Sequence, residues 1–409
     1  MSRKLFGSLT ATVTHETQPS VIVSALKTTA YYKNTKSVEL FETIHVYRSV
    51  EDDFTFGLDY GEYFDGLGVT NADLVFEGPI DEINKRRYTY EDHDVEIGKT
   101  YAYWIAGATG DATGPVGVRV RDARVWWPYD EVLRRTEALK DAYPDDVVIN
   151  TIGRTIQGRE LISVQVGNPQ PCVAVVGTIH AGEAGPELAL GAAEILLANN
   201  RDQLRRTGLY IIPSVNVDER EREVRGEPSY LRTNTAGTDL NRNFPADWAT
   251  VELGYGLDST DQTSFTYRGP SAASAPETLA VMNALESVSP NAGFAFHCLA
   301  SIGGMGFITA RDADKSYADR CRVLAARYIE GAGFDIDDEK TLGLVCSAGS
   351  LPTWCYRSLN VPAFDLEISA AAEPEAYKAC RFDHTDVELV SRYQRIHADG
   401  LLRVLENLG

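Results

Sequence analysis

Between Glu160 and Asn216 the chain reads LISVQV, CVAVVGTI, PELALGAAEILLANN and GLYIIPSVN, apolar runs separated by short polar breaks. The first, second and fourth are short, rich in Val and Ile and bounded by Gly, Pro or Asn, which is how buried strands read. The third is longer and rich in Ala and Leu, and reads as a helix. Strands alternating with helices in this way build a layered α/β domain. Just upstream, VWWPYDEVLRRTEALKDAYP repeats Val132, Leu133, Leu139 and Ala142 at helical spacing and stops at Pro144. Near the end, TDVELVSRYQRIHADGLLRVLENL spaces Val387, Val390, Tyr393, Ile396, Leu401 and Leu405 as a long amphipathic helix that closes the domain.

Residues 1 to 124 have a different texture. TATVT, SVIVSAL, ETIHVYRS, RRYTYED and KTYAYWIAG are β-branched, aromatic or alternating, and turn residues separate them. In KTYAYWIAG, Tyr101, Tyr103 and Ile105 share one face and Ala102, Trp104 and Ala106 the other. A turn and a further strand, VGVRVRD, follow. The pattern resembles the last two strands of a fibronectin type III or immunoglobulin-like sandwich, with another small β-domain as the alternative. The expected division is therefore a β-sandwich over 1–124 and a catalytic α/β domain over 125–409.

A chain of 409 residues has room for a large core and a satellite domain. Its formal net charge of -20 argues against nucleic acid and anionic membranes as partners. No apolar run reaches the length of a membrane span. MSRKLFGSLTATVTHE lacks the apolar core of a secretory signal, so the expectation is a cytoplasmic protein. None of the six cysteines forms a Cys-x-x-Cys pair, which leaves buried reduced thiols as the simplest reading.

The chemistry-bearing residues sit where strands should end. His180 and Glu183 follow CVAVVGTI and precede the helical run, at the edge of an α/β sheet where ligands collect. His-x-x-Glu alone is a weak signal and also fits a polar turn. Catalytic zinc commonly takes three protein ligands and leaves a position for water, which requires another histidine at another strand end. His297, after the apolar run Ala292 to Phe296, meets that requirement. His15, His45 and His93 are scattered through the β-domain, and His384 and His397 fall in or near the last helix, as surface or packing residues do. Between the candidate ligands, YLRTNTAGTDLNRNFPADW crowds arginines, asparagines and an aspartate around Gly237. Such a segment is either a solvated loop or an anion clamp, since Arg forks grip carboxylates bidentately.

At this point the sequence resembles the zinc carboxypeptidase family of the carboxypeptidase A/B and N/E kind. IGRTIQGREL, HAGE, IIPSVNVDERE, GTDLNRNFP, YRGPSAASAPET and FDLEIS match the family's motifs in order across the catalytic part. The resemblance implies a three-layer α/β/α fold around a mixed, mostly parallel sheet, and a metallocarboxypeptidase holding one zinc ion. It implies that His180, Glu183 and His297 ligate the zinc and that Asp239 orients His180. Asn241 and Arg242 would hold the C-terminal carboxylate of a peptide or protein substrate, so an internal peptide bond would offer them nothing. Arg232 would stabilise the oxyanion, and Glu367 would act as general base on zinc-activated water.

The sequence departs from the family pattern in several places. Gly182 and Ala184 flank Glu183 where an arginine often stands, and NVDERE replaces the usual N-P-D-G turn. Aligning Gly349-Ser350 with the family's pocket loop puts Leu344 where many members carry a mobile tyrosine, with Tyr356 misplaced for that role. Leu351, at the position that often floors the side-chain pocket, points to apolar terminal residues. The rival functions are the same chemistry on glutamate side-chain tails or peptidoglycan stem peptides, and a zinc-retaining protein that binds without catalysis. An inhibitory pro-domain would mix helices and strands, whereas residues 1–124 read as strands throughout.

Overall fold

The alternating stretches of the N-terminal part form antiparallel strands in the computed structural model, which describes residues 4–15, 18–28, 43–52, 61–79, 86–107, 111–250, 259–297, 305–333, 345–368 and 387–408. One compact unit comprises Met1–Ala123 with Arg222–Tyr230, and the other Arg124–Glu221 with Leu231–Gly409.

In the first unit, β1 (Phe6–Thr14), β2 (Ser20–Lys27) and β5 (Arg87–Asp92) form a sheet in the order β1-β2-β5. A second sheet, β4-β3-β6-β7, is built from β3 (Thr43–Val50), β4 (Asp73–Pro79), β6 (Thr100–Gly107) and β7 (Thr113–Arg119). Val21, Val23 and Ala25 of the first sheet share one apolar cluster with Ile44, Val46, Tyr101, Tyr103 and Ile105 of the second, so the sheets form a sandwich around a common core. β4 was not anticipated: DLVFEGP has no fully buried position and therefore little periodic signal. In the sandwich, Tyr103 Oη and Arg48 Nη1 both donate to Asp92 Oδ2 at 2.9 Å, and Thr113 Oγ1 donates to Phe6 O at 2.7 Å.

The second unit is built on a seven-stranded sheet in the order β13-β14-β12-β10-β11-β9-β8. Its strands are β8 (Val147–Arg154), β9 (Glu160–Val166), β10 (Cys172–Val176), β11 (Gly208–Ile212), β12 (Ala292–His297), β13 (Met305–Ile308) and β14 (Ala363–Ile368). The central pairings β14-β12, β12-β10 and β10-β11 are parallel, and the outer ones, β13-β14, β11-β9 and β9-β8, are antiparallel. The sheet is thus mixed and parallel at its centre, where strands buried on both faces must be continuously apolar.

Successive side chains alternate between the faces. Cys172, Ala174 and Val176 of β10 and Ala295 of β12 join Val281, Ala284 and Leu285 of helix Pro276–Val288 in one cluster. On the opposite face, Phe294 lies 5.0 Å from the ring of Tyr328 in helix Lys315–Ala332. Phe296 stacks at 4.3 Å on His397 of helix Val387–Glu406. Helices therefore cover both faces, giving three layers. Among the described residues no helix is long and apolar enough to cross a membrane.

His397 is a packing histidine. Its Nδ1 lies 2.6 Å from Tyr328 Oη, and Nε2 is buried without a hydrogen-bond partner among the described residues. Burial depresses its pKa from 6.5 to about 3. The unfolded chain therefore binds a proton that the folded protein refuses, and the stability from the neutral ring is lost as pH falls below 6.5. The expected contribution is about 1.4 kcal/mol per pH unit between those values. Denaturant titrations at pH 7 and pH 5 should show a smaller acid-side loss for His397→Gln than for the parent. Equal losses would contradict this assignment.

Candidate metal centre and active site

The sheet order places β11 on one side of β10 and β12 on the other: β10 connects onward to β11, while β12 connects onward to β13 and β14 in the opposite direction. Such a switch point opens a crevice at the carboxyl ends of the strands, and ligands bind there. His180 follows the end of β10, and His297 is the last residue of β12, directly opposite Glu367 of β14 in the strand register. The turn after β10 is tightly constrained. Thr178 has φ 50°, an uncommon conformation for a β-branched residue. Gly185 packs back on it so closely that an added Cβ would stand 2.2 Å from Thr178 Oγ1. The turn thus needs glycine at position 185, and Pro186 then starts helix Pro186–Asn199.

His180, Glu183 and His297 are buried, with donor atoms within 4.8 Å of one another. His180 Nδ1 lies 3.1 Å from Glu183 Oε1, and His297 Nδ1 lies 2.9 Å from Glu183 Oε2. The outer ring nitrogens face carboxylates as well. His180 Nε2 is 3.1 Å from Asp239 Oδ1, and His297 Nε2 is 3.3 Å from Asp365 Oδ1. A neutral imidazole has a single N–H to donate. With carboxylates on both sides of each ring, the inner position must be filled by a proton or a cation. A divalent metal among the Nδ1 atoms and the Glu183 carboxylate fits this donor set, and the outer carboxylates would orient the rings.

The charges here are strongly coupled. Burial alone would raise the Asp239 carboxyl, but Arg232 and then His180 outweigh it and hold it well below the usual range. Burial would depress His297, yet Asp365 and Glu183 raise it well above its ordinary value. Glu183 is lowered against its burial by His180 and His297. Glu367 goes the other way: burial, helped by Glu183 and Asp365 against the pull of His297, pushes it up to about 8. Its Oε2 is buried without a hydrogen-bond partner among the described residues, so it keeps a site for a proton or a water.

The remaining expected residues surround this corner. Arg232 Nε donates to Asp239 Oδ2 at 2.8 Å. The Asn241 backbone N–H donates to Asp239 Oδ1 at 2.9 Å, and its Nδ2 donates to Asp365 Oδ2 at 2.8 Å. Arg242 is half-buried, its Nη1 donates to Asn241 O at 2.9 Å, and burial lowers its pKa. Leu351, expected at the floor of the side-chain pocket, is buried. Its side chain is 3% exposed and packs in the core cluster with Leu240, Phe244 and Trp354, while its N–H donates to Asn241 Oδ1 at 3.0 Å. Tyr356 is tied to Asp314 through a 3.1 Å hydrogen bond. Leu344 and His384 lie outside the described residues.

Residues 132–378 match the zinc carboxypeptidase (peptidase M14) family model. The chain belongs to the zinc carboxypeptidase family. It is 31% identical over 183 residues to a metallocarboxypeptidase A-like protein of Trichophyton verrucosum, covering 40% of this chain and 42% of that one. It is 29% identical over 224 residues to the human carboxypeptidase N catalytic chain, covering 47% and 45%. The chain thus spans less than half the length of these curated relatives. By fold it resembles the carboxypeptidase A of Helicoverpa armigera, with TM-score 0.58 and 18% identity over 69% of this chain and 73% of that one. A putative carboxypeptidase A from Shewanella denitrificans aligns with TM-score 0.53 and 15% identity over 100% of this chain and 99% of the other.

The departure NVDERE now has a structural meaning. Its residues lie in helix Val217–Val224 rather than in a proline turn. Asp218 accepts from Thr155 Oγ1 and the Gln157 N–H, both at 3.0 Å, and so anchors the IGRTIQGREL segment. Arg220 points to the ligand turn, where Nη1 donates to Ala181 O at 3.0 Å and Nη2 to Glu187 Oε1 at 2.6 Å. Its guanidinium also lies 4.1 Å from the Trp126 ring centroid. Sequence reasoning missed Arg220, Glu187 and Asp365 because each is defined by a partner distant in the chain. The one available signal was the charge of NVDERE itself. Arg220→Ala leaves the buried Glu187 carboxylate without its guanidinium, which typically costs about 3–5 kcal/mol. Urea titration of the metal-free variant should show that loss, and a midpoint equal to the parent's would contradict it.

Proposed function

We propose that this protein is a zinc-dependent carboxypeptidase that hydrolyses the C-terminal peptide bond of peptides. The observation carrying this reading is the convergence of two imidazoles and a carboxylate, each backed by buried charge, with Glu367 directly opposite His297. His180, Glu183 and His297 hold the metal, which when bound acts as a Lewis acid and brings the pKa of a water towards 7.

The other steps belong to the chain's own side chains. Glu367 takes a proton from the attacking water and passes it to the leaving amine. Its raised pKa in the metal-free protein marks a carboxylate with little solvation, ready to exchange a proton. Arg232, fixed in orientation by Asp239, faces the oxygen on which negative charge develops. Arg242, with the backbone around Asn241 pinned by Asp239, binds the terminal carboxylate and restricts cleavage to chain ends. Asn241 gives its side-chain carbonyl to Leu351 and one amide hydrogen to Asp365, leaving the second amide hydrogen for substrate.

Metal analysis combined with a peptide panel tests the proposal. The parent should contain zinc, lose activity on chelation and regain it with zinc. It should cleave peptides with free C-termini and spare their C-terminal amides. Glu367→Gln should keep the metal and lose roughly 10²–10⁴-fold in rate. A parent without zinc, or a Glu367→Gln variant as fast as the parent, would sink the mechanism. Peptides ending in acidic, basic and apolar residues, with muropeptides beside them, give the substrate class.

A further inference from the structure

Arg232 sits on a loop, and a side chain from outside that loop holds its backbone. Asn216 lies between β11 and helix Val217–Val224 and is 1% exposed. Its N–H donates to Thr178 O at 2.9 Å, and the Val215 N–H donates to Gly177 O at 3.1 Å. Backbone bonds therefore anchor Asn216 to the turn that leads to His180. Its side chain reaches the other way. Nδ2 carries two hydrogens and donates to Thr233 O at 2.9 Å and, at 3.5 Å, to Arg232 O. A backbone bond from Gly182 N–H to Leu231 O, at 3.1 Å, joins the same two segments one residue earlier. Further along, Asn234 Nδ2 donates to Glu277 Oε2 at 3.1 Å, and Asn234 Oδ1 accepts from the Ala236 and Thr238 N–H groups. Asp239 thus fixes the guanidinium of Arg232 through Nε, and Asn216 fixes the peptide groups from which that side chain springs.

We propose that Asn216 is a positioning residue for the oxyanion step, holding the backbone of Arg232 in place against the turn that carries His180 and Glu183. The inference rests on the role of Arg232 proposed above. An amide that did no more than satisfy two carbonyls would leave the rate alone once the chain folds. An amide that places Arg232 changes the rate through Arg232 and through nothing else. The backbone bond from Asn216 to Thr178 survives truncation of the side chain, so the metal ligands keep their turn. The oxyanion contact is the sensitive one, since misplacing a group by about 1 Å can cost about 100-fold in rate.

The test is a double-mutant cycle in the whole chain, made of the parent, Asn216→Ala, Arg232→Ala and the double variant. Asn216→Ser takes the place of the alanine variant throughout if that one does not fold. Zinc affinity is read by chelator competition, and kcat and KM are measured at saturating zinc on the panel peptide that the parent cleaves fastest. Asn216→Ala should bind zinc as the parent does, keep its KM and lose about 10–100-fold in kcat. In the Arg232→Ala background the same change should cost nothing further. Equal losses in the two backgrounds overturn this inference, because Asn216 then acts apart from Arg232. An unchanged kcat in Asn216→Ala overturns it too, as does a loss of kcat that comes with weakened zinc binding. A parent without zinc, or an Arg232→Ala variant as fast as the parent, defeats the functional reading on which the inference rests.

Discussion

Glu183 carries its carboxylate between the Nδ1 atoms of His180 and His297, in a place where the residue is 2% exposed. A charge taken so far out of water costs several kcal/mol unless it is surrounded by partners. The surrounding structure supplies them in series. Each imidazole that faces Glu183 has another carboxylate at its far nitrogen, Asp239 or Asp365. Asp239 is balanced by Arg232, and Asn241 joins the two outer carboxylates through its backbone N–H and its side chain. Removing any one member leaves its neighbour as a buried charge without compensation. The site is therefore held as a network rather than as separate contacts.

The sheet makes that network possible. Parallel strands deliver their ends to one edge, and the reversal of strand order at β10 opens the crevice into which His180 and His297 project. The turn carrying Glu183 has no secondary structure of its own and is fixed from outside by Arg220 and Glu187. On the other side, Gly349 has φ 73° and approaches so closely that an added Cβ would stand 2.1 Å from Arg242 O. That approach sets Leu351 against Asn241. Stiff backbone on both sides preserves the geometry that the polar residues need.

Much of this was legible in the chain. The runs of β10 and β11 are continuously apolar because these parallel strands are buried on both faces, and such runs stand out from their polar breaks. His180 and Glu183 were legible as candidate ligands from their place after β10, and His297 from its place at the end of the apolar run of β12. β4 was not, since none of its positions is buried and it therefore carries no clear apolar alternation. The grouping of Arg222–Tyr230 with the N-terminal unit was not either, because it depends on contacts made far along the chain.

The sequence alone determined the α/β class, the residue types of the candidate metal site and the motif order that marks the family, because these depend on local periodicity and local chemistry. Tertiary structure alone decided which carboxylate meets which imidazole. It turned NVDERE from a missing turn into a brace, and it placed Asp365 between His297 and Asn241. Those outcomes depend on side chains brought within hydrogen-bond reach from distant parts of the chain, from Arg220 and Glu187, 33 residues apart, to Asn241 and Asp365, 124 apart. No local pattern encodes such a distance; the packing of the sheet does.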